Sequence, residues 1–124
     1  DNAVFRIGFC YYSTFKYTEA ILTYRAHIPF AKGKDAAELH FYLGDCYRKS
    51  GADNKAIVEF LKVAYDYNMY PMFAVTALYM VGEIYQLKGD MDKALIIYEK
   101  IVKTYGASSQ YGEMAAQRLK ELKE

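Results

Sequence analysis

Apolar residues along the chain recur at steps of three and four: Phe5, Phe9 and Tyr12; Ile21, Tyr24 and Ile28; Ile57, Phe60, Leu61 and Ala64; Ala94, Ile97, Tyr98 and Ile101. That spacing lays them on one stripe of a helix and does not fit the alternating face of a strand. The pattern predicts an all-α fold of about seven helices, at about 3–14, 17–29, 35–49, 53–67, 71–88, 91–105 and 109–123. The polar positions mark the breaks. Gly51 precedes Ala52-Asp53-Asn54 and Gly89 precedes Asp90-Met91-Asp92, which are turn and cap residues in front of a new apolar run. The first break has no glycine and uses Ser13, Thr14 and Lys16. Asp35 with Glu38 reads as a capping box for the third helix, Pro71 fits the first turn of the fifth, and Pro29 should end the second.

The apolar pattern also repeats at long range. Gly8, Gly44 and Gly82 each follow an apolar residue (Ile7, Leu43, Val81) and precede a tyrosine by three (Tyr11, Tyr47, Tyr85). An alanine (Ala20, Ala56, Ala94) and an aromatic (Tyr24, Phe60, Tyr98) follow at fixed distances. Such self-similarity is the mark of stacked helical units. Glycine inside a helix costs about 1 kcal/mol against alanine, so something must offset it. The expectation is close approach of the two helices of a unit, each glycine facing the small alanine, with the aromatics filling the space beside them. The last segment, "SSQYGEMAAQRLKELKE", does not repeat the unit. Tyr111, Met114, Ala115, Leu119 and Leu122 fall on one side, and Gln117, Arg118, Lys120 and Glu121 on the other, as a helix closing a stack would require.

Leu43-Gly44-x2-Tyr47 followed by Ala56-x3-Phe60, and its two copies, resemble the tetratricopeptide repeat. The resemblance implies an α-α superhelix over a single domain 1–124, with repeats at about 2–34, 35–70 and 71–107 and a capping helix at about 108–124. The chain departs from the signature at Val4, His40 and Leu78, where the family has Trp, and its spacings exceed the family's 34. Lys103-Thr104-Tyr105-Gly106 and Ala115-Ala116-Gln117-Arg118-Leu119 also resemble the bacterial cell-envelope branch of the repeat. That branch includes the periplasmic protein associated with the Tol-Pal system and the lipoprotein of outer-membrane β-barrel assembly. This second resemblance implies a periplasmic or envelope location, with the cytoplasm as the alternative.

Composition narrows the function. The chain has 124 residues, is 53% hydrophobic and 25% charged, and carries 16 basic and 15 acidic residues for a net charge of +1. That balance gives no electrostatic footprint for nucleic acid, and no apolar stretch reaches the length of a membrane span. The opening Asp1-Asn2-Ala3 reads as a processed or excised start. Cys10 and Cys46 fit no zinc, haem or redox-pair spacing and read as small buried residues. His27 and His40 are isolated, "KGDMDK" lacks the later ligands of a calcium loop, and "AKGKD" lacks the phosphate-loop glycine. No catalytic residue, metal ligand or cofactor is expected.

The resemblance implies that the first helix of each unit lines a concave surface that binds. Positions three before, one after and four after the recurring glycine share a helix side. They are Phe5, Phe9 and Tyr12; Phe41, Asp45 and Arg48; Tyr79, Glu83 and Gln86. Phe5, Phe41 and Tyr79 would make an aromatic row, with Asp45, Arg48 and Glu83 as polar anchors for a peptide or partner protein. The competing expectation packs these rings inside the stack, against the last helix. Two further surfaces stand out: the aromatic N-terminal segment of Val4, Phe5, Phe9, Tyr11, Tyr12, Phe15 and Tyr17, which reads either as a face that an upstream helix covered or as a candidate for homodimerisation, and "AYDYNMYPMF" (64–73), a connection rich in Tyr and Met.

Overall fold

The computed structural model describes Gly8, residues 14–106 and residues 109–124. These residues form six α-helices: α1 (Tyr17–His27), α2 (Gly33–Lys49), α3 (Asp53–Asp66), α4 (Pro71–Leu87), α5 (Met91–Tyr105) and α6 (Gln110–Lys123). A short 3-10 turn, Ile28–Phe30, follows α1, and no strand occurs among the described residues. The helix expected at 3–14 lies outside them, apart from Gly8, which is helical. Pro29 ends the helix as expected, and Pro71 opens α4.

The caps differ from expectation at α2 and at α3, where Ala52 holds the cap position without a side-chain bond and Asp53 opens the helix. Helix α2 starts at Gly33, so Asp35 sits inside its first turn and Lys32 holds the cap position without a side-chain bond. Asp35 and Glu38 therefore form no capping box. Asp90 and Ser109 do cap, accepting from the backbone N–H of Lys93 and of Gly112. Gly51 and Gly89 turn the chain at φ 88° and 84°. The first turn adopts the same backbone without a glycine. Phe15, seven residues after Gly8, stands at the equivalent position with φ 62°, a conformation that disfavours a bulky side chain.

Successive helices pack in order from α1 to α6. In addition α2 touches α4, and α4 touches α6, whereas α1, α3 and α5 make no comparable approach to one another. The stack therefore draws together on the side of α2, α4 and α6 and opens on the side of α1, α3 and α5. This is an all-α helical-repeat fold with an inner and an outer surface. Two groups of buried side chains fill it, one centred on Leu43, Phe60 and Val81 and one on Tyr79, Tyr98 and Ile101. Leu61, Tyr85 and Ile97 pack against both, so the core is continuous.

The recurring glycines have equivalent surroundings, but not the expected ones. A Cβ on Gly8 would run into the ring of Tyr24, one on Gly44 would come 3.0 Å from that of Phe60, and one on Gly82 would come 2.6 Å from that of Tyr98. Each glycine thus makes a flat seat for the aromatic of its own unit, whose ring, and not the alanine, supplies the nearest atoms. Tyr24, Phe60 and Tyr98 are almost completely buried by this arrangement, and an aromatic ring of that kind buries on the order of 150–250 Å². Ala20, Ala56 and Ala94 are fully buried as well. The closing helix joins through another glycine. Gly112 lies so close to the Gly106 carbonyl that a Cβ there would overlap it. Tyr111, Ala115, Leu119 and Leu122 then pack on the second half of the core, while Met114, expected on that side, is 39% exposed.

Candidate functional site

The inner surface is built from α2, α4 and, with them, α6. Phe5, Phe9 and Tyr12 lie outside the described residues. Phe41 is half-buried, its ring 5.5 Å from Phe60 and 6.0 Å from Phe73. Asp45 is half-buried beside Tyr24, Tyr42 and Cys46, and its charge contributes to raising their pKa values, after burial itself. Tyr79 is 2% exposed and sits between the rings of Tyr98 and Tyr111 at 5.6 and 5.4 Å. It is covered by the chain's own last helix and offers no surface to a partner. The expected aromatic row therefore does not continue to Tyr79.

The polar positions do come together. Arg48 on α2 reaches across to α4, its Nη1 3.4 Å from Glu83 Oε1 and 3.0 Å from the Met80 sulfur. Arg118 on α6 approaches the same glutamate from the other side, Nη2 to Oε2 at 3.3 Å, and donates from Nη1 to Gln86 Oε1 at 3.0 Å. The Gln86 oxygen also accepts from the Tyr98 hydroxyl at 2.9 Å. The result is one network, Arg48–Glu83–Arg118–Gln86–Tyr98, spanning four helices. The side chains of Arg48, Glu83 and Arg118 are 22%, 24% and 33% exposed, so they are fixed yet reachable. Pairs this exposed contribute about 0–1 kcal/mol each to stability; their value is in holding a surface of defined charge and geometry.

Arg118 was expected on the outer face of the last helix. Helix arithmetic places it with the core after all: Tyr111, Ala115, Arg118 and Leu122 follow one another at four, three and four residues. Its charge masked a position on the buried stripe, where a long side chain can run over apolar surface and put its head back at the edge.

The arrangement has little to offer as reaction chemistry. Cys46 is fully buried, and burial, with Asp45 beside it, pushes its thiol up to about 12. Burial likewise raises Tyr79 and Tyr98 above the ordinary tyrosine value, so both stay protonated donors at neutral pH. No group of His, Cys, Asp and Glu that would hold a metal ion occurs among the described residues. No helix among them is long and apolar enough to cross a membrane.

The connection 64–73 is divided. Tyr67, Tyr70 and Phe73 are half-buried, whereas Tyr65, Met69 and Met72 are exposed, Tyr65 lying under the Lys100 ammonium at 4.4 Å.

No curated protein matches the chain. The family model of the tetratricopeptide repeat matches residues 76–108, which run from within α4 through α5. The same glycine–aromatic seat recurs at Gly8–Tyr24, Gly44–Phe60 and Gly82–Tyr98, so the matched unit has two structural counterparts in the described chain. The repeat is generally a non-catalytic protein-interaction module. The matched segment, the all-helical stack and the recurrent seat together fit a tetratricopeptide-repeat domain.

Proposed function

We propose that the chain is a non-catalytic scaffold that holds a peptide or partner protein on its inner surface, with Arg48, Glu83, Gln86 and Arg118 as the polar contacts. Asp45 and the half-buried Phe41 complete the surface. The supporting observation is the network itself, in which Arg48, Glu83 and Gln86, chosen by their register relative to a glycine, meet Arg118 in one solvent-edged array. A fixed pattern of donors and acceptors beside an aromatic is what an extended or helical segment needs for orientation. On this view the domain comprises repeats at about 2–34, 35–70 and 71–107 and a capping helix at about 108–124. A bacterial envelope assembly is the proposed setting; its support is the resemblance of 103–106 and 115–119 to envelope members of the family.

Peptides selected from a random library on the immobilised chain test the proposal. Selected peptides should lose at least about ten-fold in affinity toward Arg48→Ala and Phe41→Ala, with helical circular dichroism unchanged. Peptides indifferent to both substitutions would refute it. Self-association through the N-terminal aromatics is a second reading, favoured by Phe15, which is 78% exposed. It requires a mass by light scattering that rises with concentration, and a constant monomer mass eliminates it.

A further inference from the structure

The hairpin α2–α3 departs from its neighbour at two paired positions. His40 lies four residues before Gly44, and Glu59 three after Ala56; the same positions around Gly82 and Ala94 hold Leu78 and Ile97. Leu78 is buried and Ile97 half-buried in the core. The fold is thus satisfied by an apolar pair here, and α2–α3 carries a polar one instead. His40 Nδ1 is 2.6 Å from Glu59 Oε1, and Lys62 Nζ is 3.4 Å from Oε2. Burial pushes the Glu59 carboxyl up, but the His40 hydrogen bond and the Lys62 charge outweigh it and hold it below its ordinary value. The carboxylate stays ionised and tethers Lys62.

This pair forms part of the wall of an outer groove between α1 and α3, floored by α2, with a volume of about 540 Å³. Leu43, Tyr47 and Val58 give it an apolar floor, and Arg25, Lys55 and Lys62 line its rim. Lys55 stands 5.8 Å over the Tyr47 ring. Three cations against Glu59 leave the groove at 3 − 1 = +2, counting histidine as neutral, although the whole chain carries only +1. The volume falls in the range of pockets that hold ligands. A recessed shape does not suit a flat membrane surface, and an apolar floor does not suit a bare phosphate.

We propose that this outer groove docks an acidic peptide segment bearing an apolar side chain. The apolar side chain seats on Leu43, Tyr47 and Val58, and its flanking carboxylates pair with Arg25, Lys55 and Lys62. The site lies on the side of the stack opposite the Arg48–Glu83–Arg118 network and operates independently of it.

Fluorescence anisotropy with a short labelled peptide, one leucine flanked by glutamates, tests the site. The peptide should bind saturably and more weakly as salt is raised. A leucine flanked by lysines should not bind. Arg25 and Lys55 are exposed, so the double variant Arg25→Glu/Lys55→Glu should keep its helicity and lose at least about ten-fold in affinity. Val58→Ser should also weaken binding, and Arg48→Ala should leave it unchanged. Absence of saturable binding, equal binding of the lysine peptide, or indifference to the rim variants would overturn the proposal. So would capture of anionic lipid vesicles, but not of the peptide, with the same rim dependence.

Discussion

Adding one methyl group at Gly82 and, separately, at Gly44 probes the seat on which the stack is built. Alanine gains about 1 kcal/mol over glycine inside a helix, so on propensity alone both variants should be stabilised by about that amount. The rings oppose this gain unequally. At Gly82 the new Cβ would lie 2.6 Å from Tyr98 Cε1, against about 3.5–4.0 Å for an ordinary carbon contact. The ring must therefore retreat by about 1 Å. It is fully buried and its hydroxyl is held by Gln86 at 2.9 Å, so it has no free direction. Overpacking of this kind costs about 1–3 kcal/mol, and loss of the hydroxyl bond adds about 1 kcal/mol. Gly82→Ala should be destabilised by about 1–3 kcal/mol net. At Gly44 the nearest Phe60 carbons would be 3.0 Å away, a smaller overlap with a ring that has no hydroxyl. Its cost at the low end of that range, about 1 kcal/mol, cancels the helix gain. Urea unfolding followed by helical circular dichroism, with the slope shown to be unchanged, measures both. With a slope of about 2 kcal/mol per molar, the Gly82→Ala midpoint should fall by roughly 0.5–1.5 M and that of Gly44→Ala should barely move. A Gly82→Ala chain as stable as the wild type, or a Gly44→Ala chain that is the worse of the two, would refute the ring-seat account.

Four further outcomes follow from the described geometry. Phe15→Gly should raise the unfolding midpoint, because a non-glycine residue in the left-handed region costs about 1–2 kcal/mol and the edge-on contact of Phe15 with Tyr17 at 6.2 Å is the part lost; an unchanged or lower midpoint means the turn carries no strain. Tyr79→Ala should cost about 3–5 kcal/mol as a core truncation, and a variant of native stability would contradict its burial under α6. The double replacement His40→Leu/Glu59→Ile, which copies the Leu78 and Ile97 positions, should unfold at the same midpoint or a higher one. Acid titration of stability separates out the carboxylate. The folded-state pKa of Glu59 is depressed, so its contribution is present above the unfolded value and is lost as pH falls through the folded one. The stability gap between wild type and Glu59→Gln should therefore close on acidification, and a gap independent of pH would rule this out.

The helices were legible because their apolar spacing and their breaks agree, and because three copies of one phrase could be checked against each other. Phe15 illustrates the strength of the register. No glycine marks the first turn, yet the backbone takes the glycine conformation at the position the other copies dictate. What the sequence could not convey was who covers whom. Register says that Phe41 and Tyr79 share a helix side, but not that Tyr111 of α6 arrives over Tyr79. Charge misled at Arg118, which reads as solvent-facing until its three- and four-residue steps to Ala115 and Leu122 are counted. The glycine's true neighbour was hidden for a related reason. The alanine and the ring recur equally well at fixed offsets, and only the direction of each side chain decides between them.

The Tyr98 hydroxyl has a consequence for how such units can be exchanged. Where the ring is Tyr98, the residue four after the glycine is Gln86, which accepts its hydrogen bond; where the ring is Phe60, the corresponding residue is Arg48, which turns to the neighbouring hairpin instead. In the α4–α5 hairpin, ring and acceptor therefore form a pair straddling two helices. A hairpin moved whole carries both halves and should transplant into a foreign array, whereas a crossover between its helices would strand a buried hydroxyl without an acceptor.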